Sequence, residues 1–199
     1  TSVNTEDDRI EEFCDLNGWQ CFRGSQKDVL GRMSAALVDC EAELGVVVYG
    51  DNPLVDPVII DEVVSKFTVE ASYDWVGNNL ITTFPPGMEV EVFRTDCLVE
   101  AARLAKKKEY REHGTLFLRK NPQKYRLLNV EAKGVRRRPD LCLGVDTQED
   151  ASVVEAVIEK FAYSLGFSLE DIVSFLDTQP ELVEKTRNVH RRWRQYRSD

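Results

Sequence analysis

The chain alternates short apolar runs with longer segments whose apolar residues recur at helical spacing, and this alternation is the strongest constraint on its fold. Residues 45–50 (GVVVYG) are β-branched and free of polar interruption, which predicts a strand buried on both faces. Asp56 and Pro57 then provide the cap and the first position of a helix. Strand followed by capped helix, repeated along the chain, predicts a doubly wound α/β domain with a mostly parallel sheet.

The same reasoning places the remaining elements. Strands are expected at residues 19–22, 73–78, 88–93, 125–132 and 141–145, and helices at 6–17, 28–44, 95–106, 110–120, 147–165, 168–177 and from Pro180 onward. The last two helices follow Gly166 and resemble an appendage on the α/β body. We therefore predict a body over residues 1–166 and a small helical appendage over residues 167–199.

Composition excludes several classes of protein. The formal net charge of −9 opposes general binding of nucleic acid, which requires a basic face. The basic tail at residues 185–197 is interpreted as cations that suit a helix C-terminus and pair with an acidic body. No apolar run approaches the ~20 residues that a membrane-spanning helix needs. We expect neither nucleic acid nor a membrane among the partners.

The cysteines indicate the redox environment. There are five, an odd number, and none form a CxxC pair. Both facts oppose a disulfide framework or a zinc site and predict free thiols in a reducing, cytoplasmic compartment.

The first candidate site follows the strand predicted at 45–50. Gly50 permits close approach of a ligand to the backbone, and Asp51 offers a hard oxygen ligand for a Mg²⁺ ion that carries a nucleotide phosphate. Ligands of open α/β sheets bind at this carboxyl edge of the strands. The alternative is that Asp51 and Asn52 only begin a turn before Pro53.

The second candidate site follows the strand predicted at 141–145. Asp146 ends that strand directly before a helix that Thr147 can cap. Two carboxylates at the ends of neighbouring strands could share one metal ion, which makes Asp51 and Asp146 candidate ligands. The alternative is that Asp146 and Thr147 serve only as the helix cap.

Seven segments, in order along the chain, resemble the cytidylyltransferase family. They are FRGSQKDVLGRM (22–33), YGDNPLVDPVIIDEVV (49–64), YDWVGN (73–78), FPPGMEVEVF (84–93), EYREH (109–113), NPQKYRLLNVEA (121–132) and RRPDLCLGVDTQED (137–150). The resemblance runs from about residue 1 to 183. It is greatest to the spore coat polysaccharide biosynthesis type, which is related to the CMP-KDO and CMP-sialic acid synthetases.

The resemblance implies a fold of the nucleotide-diphospho-sugar transferase type and a Mg²⁺-dependent enzyme. Such an enzyme joins CTP to an acidic or modified sugar for surface polysaccharide and releases pyrophosphate. Asp51 and Asp146 match the two aspartates that hold the metal. The positions that match the nucleotide side are Arg23, Gly24, Ser25, Arg32 and Gly50; those that match the sugar side are Asn78, Gly87, Glu89 and Glu91, with Arg111, Glu112 and His113 at the rim.

The chain also departs from the family. Members open with a strand and a loop rich in Arg, Ser, Gly and Lys that grips the triphosphate, and residue 1 falls after that unit. We therefore expect the 199 residues alone not to turn over CTP. Gly114 stands where a small β-branched residue is expected, which predicts a local change of backbone.

Two other functions stay open, and so does the oligomeric state. One alternative is a non-catalytic binding module with a nucleotide-sugar fold, and the other is a metal-dependent glycosyltransferase of similar fold. A homodimer is plausible from the strand at 88–93 and from Trp193 and Tyr196 in the tail.

Overall fold

The structure is a computed structural model that describes residues 1–70, 72–161, 166–187, 189 and 191–196. Its strands are β1 (Leu44–Val48), β2 (Trp75–Gly77), β3 (Val90–Arg94) and β4 (Leu127–Asn129). Its α-helices are α1 (Asp8–Leu16), α2 (Val29–Asp39), α3 (Pro57–Val69), α4 (Thr95–Leu104), α5 (Lys108–Glu112), α6 (Leu116–Arg119), α7 (Gln148–Lys160), α8 (Leu169–Asp177) and α9 (Pro180–Arg187). The predicted α/β class is confirmed. The predicted continuation of the 147–165 helix past residue 161 and His190 lie outside the described residues.

Four helices, α2, α3, α7 and α8, begin at a capping side chain. Asp56 caps α3, because one of its carboxylate oxygens accepts the N–H of Val58 at 2.8 Å. Its second oxygen accepts the N–H of Leu169 at 2.8 Å, so this carboxylate also binds the first residue of α8. Capping boxes start α7 and α8, and the predicted helix starts at these positions are confirmed.

The four strands form one sheet in the order β1-β3-β2-β4. Leu44, Val46 and Val48 of β1 are 38–48% exposed, so the prediction of a strand buried on both faces is wrong. β1 lies at the edge of the sheet, and an uninterrupted apolar run does not distinguish an edge strand from a central one. The alternating polar and apolar residues of β3 are typical of a strand with one exposed face. In the structure both faces are buried, because Val90 to Phe93 are all buried.

Three other predicted elements differ in the structure. Residues 19–22 and 141–145 are not strands, because neither segment pairs in a ladder. Asp146 therefore follows an extended loop rather than a strand. The helix predicted at 110–120 is two short helices, α5 and α6, which are separated at Gly114 with φ +23°. Glycine favours this left-handed region, so the expected local change of backbone occurs here.

The chain divides into two compact units. The first comprises residues 1–45 and 93–127, and the second comprises residues 46–92 and 128–199. These units divide the chain differently from the predicted boundary at residue 166. In the second unit, Ile59 and Val63 of α3 belong to the same buried cluster as Val157 of α7 and Ile172 of α8. Helix α8 is therefore part of the core of this unit.

Two expected absences concern the described residues. All five cysteines are described and are free thiols. No helix in the described ranges is long and apolar enough to cross a bilayer.

Candidate functional site

Three loops of the second unit meet through backbone hydrogen bonds. The N–H of Val145 donates to the carbonyl of Asp51 at 2.8 Å, and the N–H of Leu143 donates to the carbonyl of Pro86 at 2.6 Å. The loop after β1, the loop before β3 and the loop before α7 therefore lie side by side. This arrangement brings together Asp51 and Asp146, which are 95 residues apart in the sequence.

Two glycines allow this close approach. Gly87 has φ +108°, and a Cβ added there would lie 2.4 Å from the backbone nitrogen of Gly144. A Cβ at Gly144 would lie 3.1 Å from the side-chain oxygen of Asn52 and 3.7 Å from the carbonyl of Asp51. The site floor is thus closely packed: Gly87 leaves no space for a larger residue, and a Cβ at Gly144 would require a small shift of Asn52.

The carboxylates at this junction interact through space. Asp51 is exposed, but partial desolvation of its carboxylate raises its pKa, and the negative charges of Asp146 and Glu89 raise it further. Asp146 is half exposed, with 50% of its side chain accessible. Like charges held close together at the surface favour binding of a cation, and a carboxylate with a raised pKa is a frequent mark of a functional site.

The residues at the junction suit Mg²⁺ by their chemistry. Aspartate oxygens are its preferred protein ligands, and Mg²⁺ is commonly bound by one or two carboxylates together with water and substrate phosphates. Within the described part of the chain, no group of three or more His, Cys, Asp and Glu side chains gathers as a metal cage. A site of two carboxylates that is completed by phosphate fits this observation.

Glu89 lies beside Asp51 and is 8% exposed. Its Oε2 accepts the side-chain amide of Asn52 at 2.9 Å and the N–H of Gly87 at 2.8 Å. Glu89 therefore ties the loop after β1 to the loop before β3. Asn52 was not among the candidate residues, although its position beside Asp51 could have suggested it.

Glu91 is fully buried and accepts three hydrogen bonds from protein side chains. Its Oε1 binds the hydroxyl of Tyr49 at 2.5 Å and the amide of Asn79 at 2.7 Å, and its Oε2 binds the indole N–H of Trp75 at 2.8 Å. A sugar hydroxyl could reach this carboxylate only if one of these donors moved. The predicted sugar contact of Glu91 stays a prediction.

The two asparagines after β2 differ in their environment. Asn78 is satisfied, because its side chain donates to the carbonyl of Met88 at 2.7 Å and accepts the N–H of Val90 at 2.9 Å. Asn79 donates to Glu91, but its buried Oδ1 has no hydrogen-bond partner among the described residues. An unpaired buried acceptor is costly, so Asn79 is suited to accept a hydroxyl from a ligand.

The predicted nucleotide-side residues lie in two places. Gly50 is in the second unit, is exposed, and would have nothing within 4 Å of an added Cβ. Arg23, Gly24, Ser25 and Arg32 form a local cluster in the first unit. The guanidinium of Arg32 donates to the carbonyl of Ser25 at 2.8 Å, and its aliphatic stem would lie 2.8 Å from a Cβ at Gly24.

Arg23 is bound on several sides by its own unit. It forms ion pairs of 2.7 Å with both Asp8 and Glu11, and it donates to the carbonyls of Ser2 and Asn4. These hydrogen bonds fix the segment that precedes α2. The nucleotide role predicted for Arg23 remains untested.

The predicted rim residues also lie in the first unit. Arg111 pairs with Asp28, the residue that caps α2, and donates to the carbonyl of Ala102. Glu112 is exposed, and His113 is half-buried and ends α5. Arg111 thus links three helices of its unit, and the sugar-site roles of all three residues stay predictions.

Arg191 is a further residue that the sequence did not single out. It is 5% exposed, and it forms a two-point ion pair with the buried carboxylate of Asp150. The pair spans 41 residues of sequence, so no local pattern predicts it.

Comparison with known proteins gives consistent results. A sequence model of a family described as cytidylyltransferase matches residues 1–188. The chain is 32% identical to the uncharacterized protein MJ1063 of Methanocaldococcus jannaschii, over 96% of this chain and 77% of that protein. It is 30% identical to the spore coat polysaccharide biosynthesis protein SpsF of Bacillus subtilis, over 91% of this chain and 74% of that protein.

A solved structure gives the same result. The structure of a cytidylyltransferase from Leptospira borgpetersenii superposes with a TM-score of 0.84 at 26% identity, over 96% of this chain and 78% of that one. This agreement covers nearly all of the chain and confirms a fold of the nucleotidyltransferase type.

Proposed function

Because the chain belongs to the cytidylyltransferase family, we propose that it transfers CMP from CTP to an acidic or modified sugar and releases pyrophosphate. The observation that carries the proposal is the junction of Asp51 and Asp146, where desolvation and nearby negative charge raise the pKa of Asp51. The name of the SpsF relative supports a product used in surface polysaccharide. Five free thiols fit a reducing, cytoplasmic setting for this reaction.

Asp51 and Asp146 are the residues that would hold Mg²⁺. When bound, the ion neutralises negative charge on the nucleotide phosphates, including charge that develops at the α-phosphorus. The hydrogen bonds of Val145 to Asp51 and of Asn52 to Glu89 keep the two aspartate-bearing loops in place. Preorganised carboxylates avoid rearrangement during the reaction, which is the main contribution that the protein can make to such chemistry.

The sugar contacts in this proposal come from the segment after β2 and the start of β3. Asn79 Oδ1 is a buried acceptor without a described partner, and a sugar hydroxyl would satisfy it. Glu89 borders the carboxylates, and Glu91 orients Asn79 through its hydrogen bond. We propose that Glu91 acts through Asn79 and Tyr49 rather than by direct contact with the sugar.

One element of the family, its phosphate loop, is not found in the 199 residues. They contain no stretch similar to the Arg-, Ser-, Gly- and Lys-rich phosphate loop of the family. We propose that residues 1–199 alone do not turn over CTP. A second candidate function is a non-catalytic module that binds a nucleotide or a nucleotide sugar.

Calorimetry and product analysis test these proposals. Titration of the full-length gene product with CTP and Mg²⁺ is expected to release heat, and incubation with candidate acidic sugars is expected to release pyrophosphate. If CTP binds but none of the sugars leads to release of pyrophosphate, the binding module is favoured. Consumption of a sugar nucleotide would indicate a glycosyltransferase, and no heat of CTP binding would overturn the enzyme proposal.

A further inference from the structure

Helix α7 begins with a capping box that is buried, unlike the box of α8. Asp150, the third residue of α7, is 0% exposed, whereas Asp171, at the same position in α8, is exposed. Both carboxylates accept hydrogen bonds from the backbone and hydroxyl of their cap residue. A capping box therefore does not require burial, and the burial of Asp150 has another cause.

Asp150 is buried against Arg191. The Nη2 of Arg191 lies 2.5 Å from Asp150 Oδ1 and its Nη1 lies 2.7 Å from Asp150 Oδ2, which is the two-point geometry that only a guanidinium provides. Only 2% of the Arg191 side chain is exposed. Burial raises the pKa of Asp150, but the hydrogen bonds from Arg191 and from the Asp146 N–H outweigh it, and the net shift is downward.

Asp150 in turn holds the loop that carries Asp146. Its Oδ2 accepts the N–H of Asp146 at 3.0 Å and the N–H of Thr147 at 2.9 Å. One carboxylate therefore fixes the backbone on which the Asp146 side chain is mounted. Arg191 also reaches Asp146 directly, with Nη1 at 3.3 Å from Oδ2.

The charges at this point leave Asp146 available to a cation. Arg191 and Asp150 form a close pair that neutralises itself, while the contact to Asp146 is single and longer. Asp146 keeps half of its side chain exposed, next to Asp51. The pair thus orients the aspartate without occupying both of its oxygens.

We infer that Arg191 is a positioning residue of the candidate metal site, which it controls through Asp150. The inference rests on the proposed metal role of Asp146. Residues that orient metal ligands commonly change metal affinity by about 10-fold to 100-fold when they are replaced. Buried ion pairs contribute geometry more reliably than stability, and that is the contribution assigned to this pair.

The test is the affinity of the full-length gene product for Mn²⁺, measured by electron paramagnetic resonance without nucleotide. Arg191→Lys keeps the positive charge and loses the two-point geometry, so we expect about 10-fold weaker binding. Arg187→Lys is the matched control, because Arg187 is exposed on α9 and its ion pair is with the exposed Glu184. This control is expected to bind Mn²⁺ as the wild type does.

A second variant and a kinetic measurement exclude a purely structural explanation. Asp150→Asn keeps an acceptor for the cap and loses the charge that pairs with Arg191, so it is expected to weaken Mn²⁺ binding by a similar factor. Far-ultraviolet circular dichroism confirms the fold of each variant. In turnover assays, we expect Arg191→Lys to regain most of its activity at high Mg²⁺, because positioning lowers affinity rather than the rate at saturation.

The outcomes separate this inference from the proposed function. If the wild type binds Mn²⁺ and folded Arg191→Lys and Asp150→Asn bind it equally well, the positioning role is overturned and the metal role of Asp146 remains. If the wild type binds no Mn²⁺ even with CTP present, the proposed metal role fails and this inference fails with it.

Discussion

The side-chain amide of Asn52 donates to Glu89 Oε2 at 2.9 Å, across 37 residues of sequence. This bond joins the loop that carries Asp51 to the start of β3. Tyr49, at the beginning of the same loop, binds Glu91 at 2.5 Å. Two carboxylates that precede or lie within β3 therefore hold the loop after β1 on either side of Asp51, and the position of Asp51 depends on them.

The buried carboxylate of Glu91 provides a test of this network. Glu91→Gln replaces an acceptor oxygen with an amide that faces the donors of Tyr49, Trp75 or Asn79. A donor directed at a buried donor is left unpaired, so we expect a loss of about 2 kcal/mol in the free energy of unfolding. Urea denaturation measures it.

A matched substitution provides the comparison for Glu91. Glu131→Gln removes an exposed carboxylate whose partner, Arg137, is also exposed, and should cost under about 1 kcal/mol. Equal stability of the two variants would contradict the structural role of Glu91.

The metal role of the two aspartates is tested by turnover. Asp51→Asn and Asp146→Asn in the full-length gene product should each lower kcat by about 10³-fold, because each removes negative charge that would bind the cation. Asp61→Asn, on the exposed face of α3, is the control and should leave the rate unchanged. A rate near that of the wild type for either site variant would refute the role of that aspartate.

The raised pKa of Asp51 predicts that the stability of the protein depends on pH. Partial desolvation of Asp51, with the charges of Asp146 and Glu89, raises its pKa above the ordinary 3.8. Between 3.8 and the raised value, the folded chain binds a proton that the unfolded chain has released. The free energy of unfolding therefore falls as pH rises through this window.

Asp51→Asn removes that penalty. Without divalent cations, we expect the variant to have a higher Tm than the wild type at pH 7, and the difference to vanish below pH 3.8. Thermal denaturation from pH 3 to pH 8, with Asp61→Asn as reference, makes the measurement. A Tm difference that is constant over this range would show that the charge of Asp51 is not its cause.

Gly87 and Gly50 differ in the space around an added Cβ, so replacement by alanine should affect stability differently. Gly87→Ala places a Cβ 2.4 Å from the backbone of Gly144 and requires φ +108°, so we expect a loss of more than about 1 kcal/mol in stability. Gly50→Ala meets nothing within 4 Å and should stay within about 1 kcal/mol of the wild type.

The two glycine variants also separate folding from binding. If CTP approaches the backbone at Gly50, then Gly50→Ala should weaken CTP binding while its urea midpoint stays close to that of the wild type. Calorimetric titration of both variants measures this. Unchanged CTP affinity in Gly50→Ala would contradict the predicted approach of the nucleotide.

Local capping patterns were sufficient to predict the starts of α3 and α8. Asp56 with Pro57, and Ser168 with Asp171, place α3 and α8 because a cap is satisfied by residues within one turn. The strand predicted at 141–145 failed for the opposite reason. Pairing in a ladder depends on partners distant in sequence, and this segment makes two isolated backbone bonds, to Pro86 and Asp51, rather than a ladder.

The candidate site was predictable only in part. Asp51 and Asp146 were predictable as neighbours because each ends an apolar segment before a helix, and their metal role stays a prediction. The burial of Glu91 was not predictable, because its donors Tyr49, Trp75 and Asn79 come from three separate segments. Pairing of the basic tail with acidic residues was predicted, but the burial of Arg191 and the identity of its partner were not, since Asp150 lies 41 residues upstream.

The double use of Asp56 has a consequence for how the second unit opens. One carboxylate binds the amide of Val58 in α3 and the amide of Leu169 in α8. Detachment of α8 therefore removes one of the two amide partners of Asp56, and rotation of this cap away from α3 breaks its bond to Leu169. These two amides should exchange their hydrogens with deuterated solvent in a single correlated event, because a fluctuation of either helix disturbs the carboxylate that binds both.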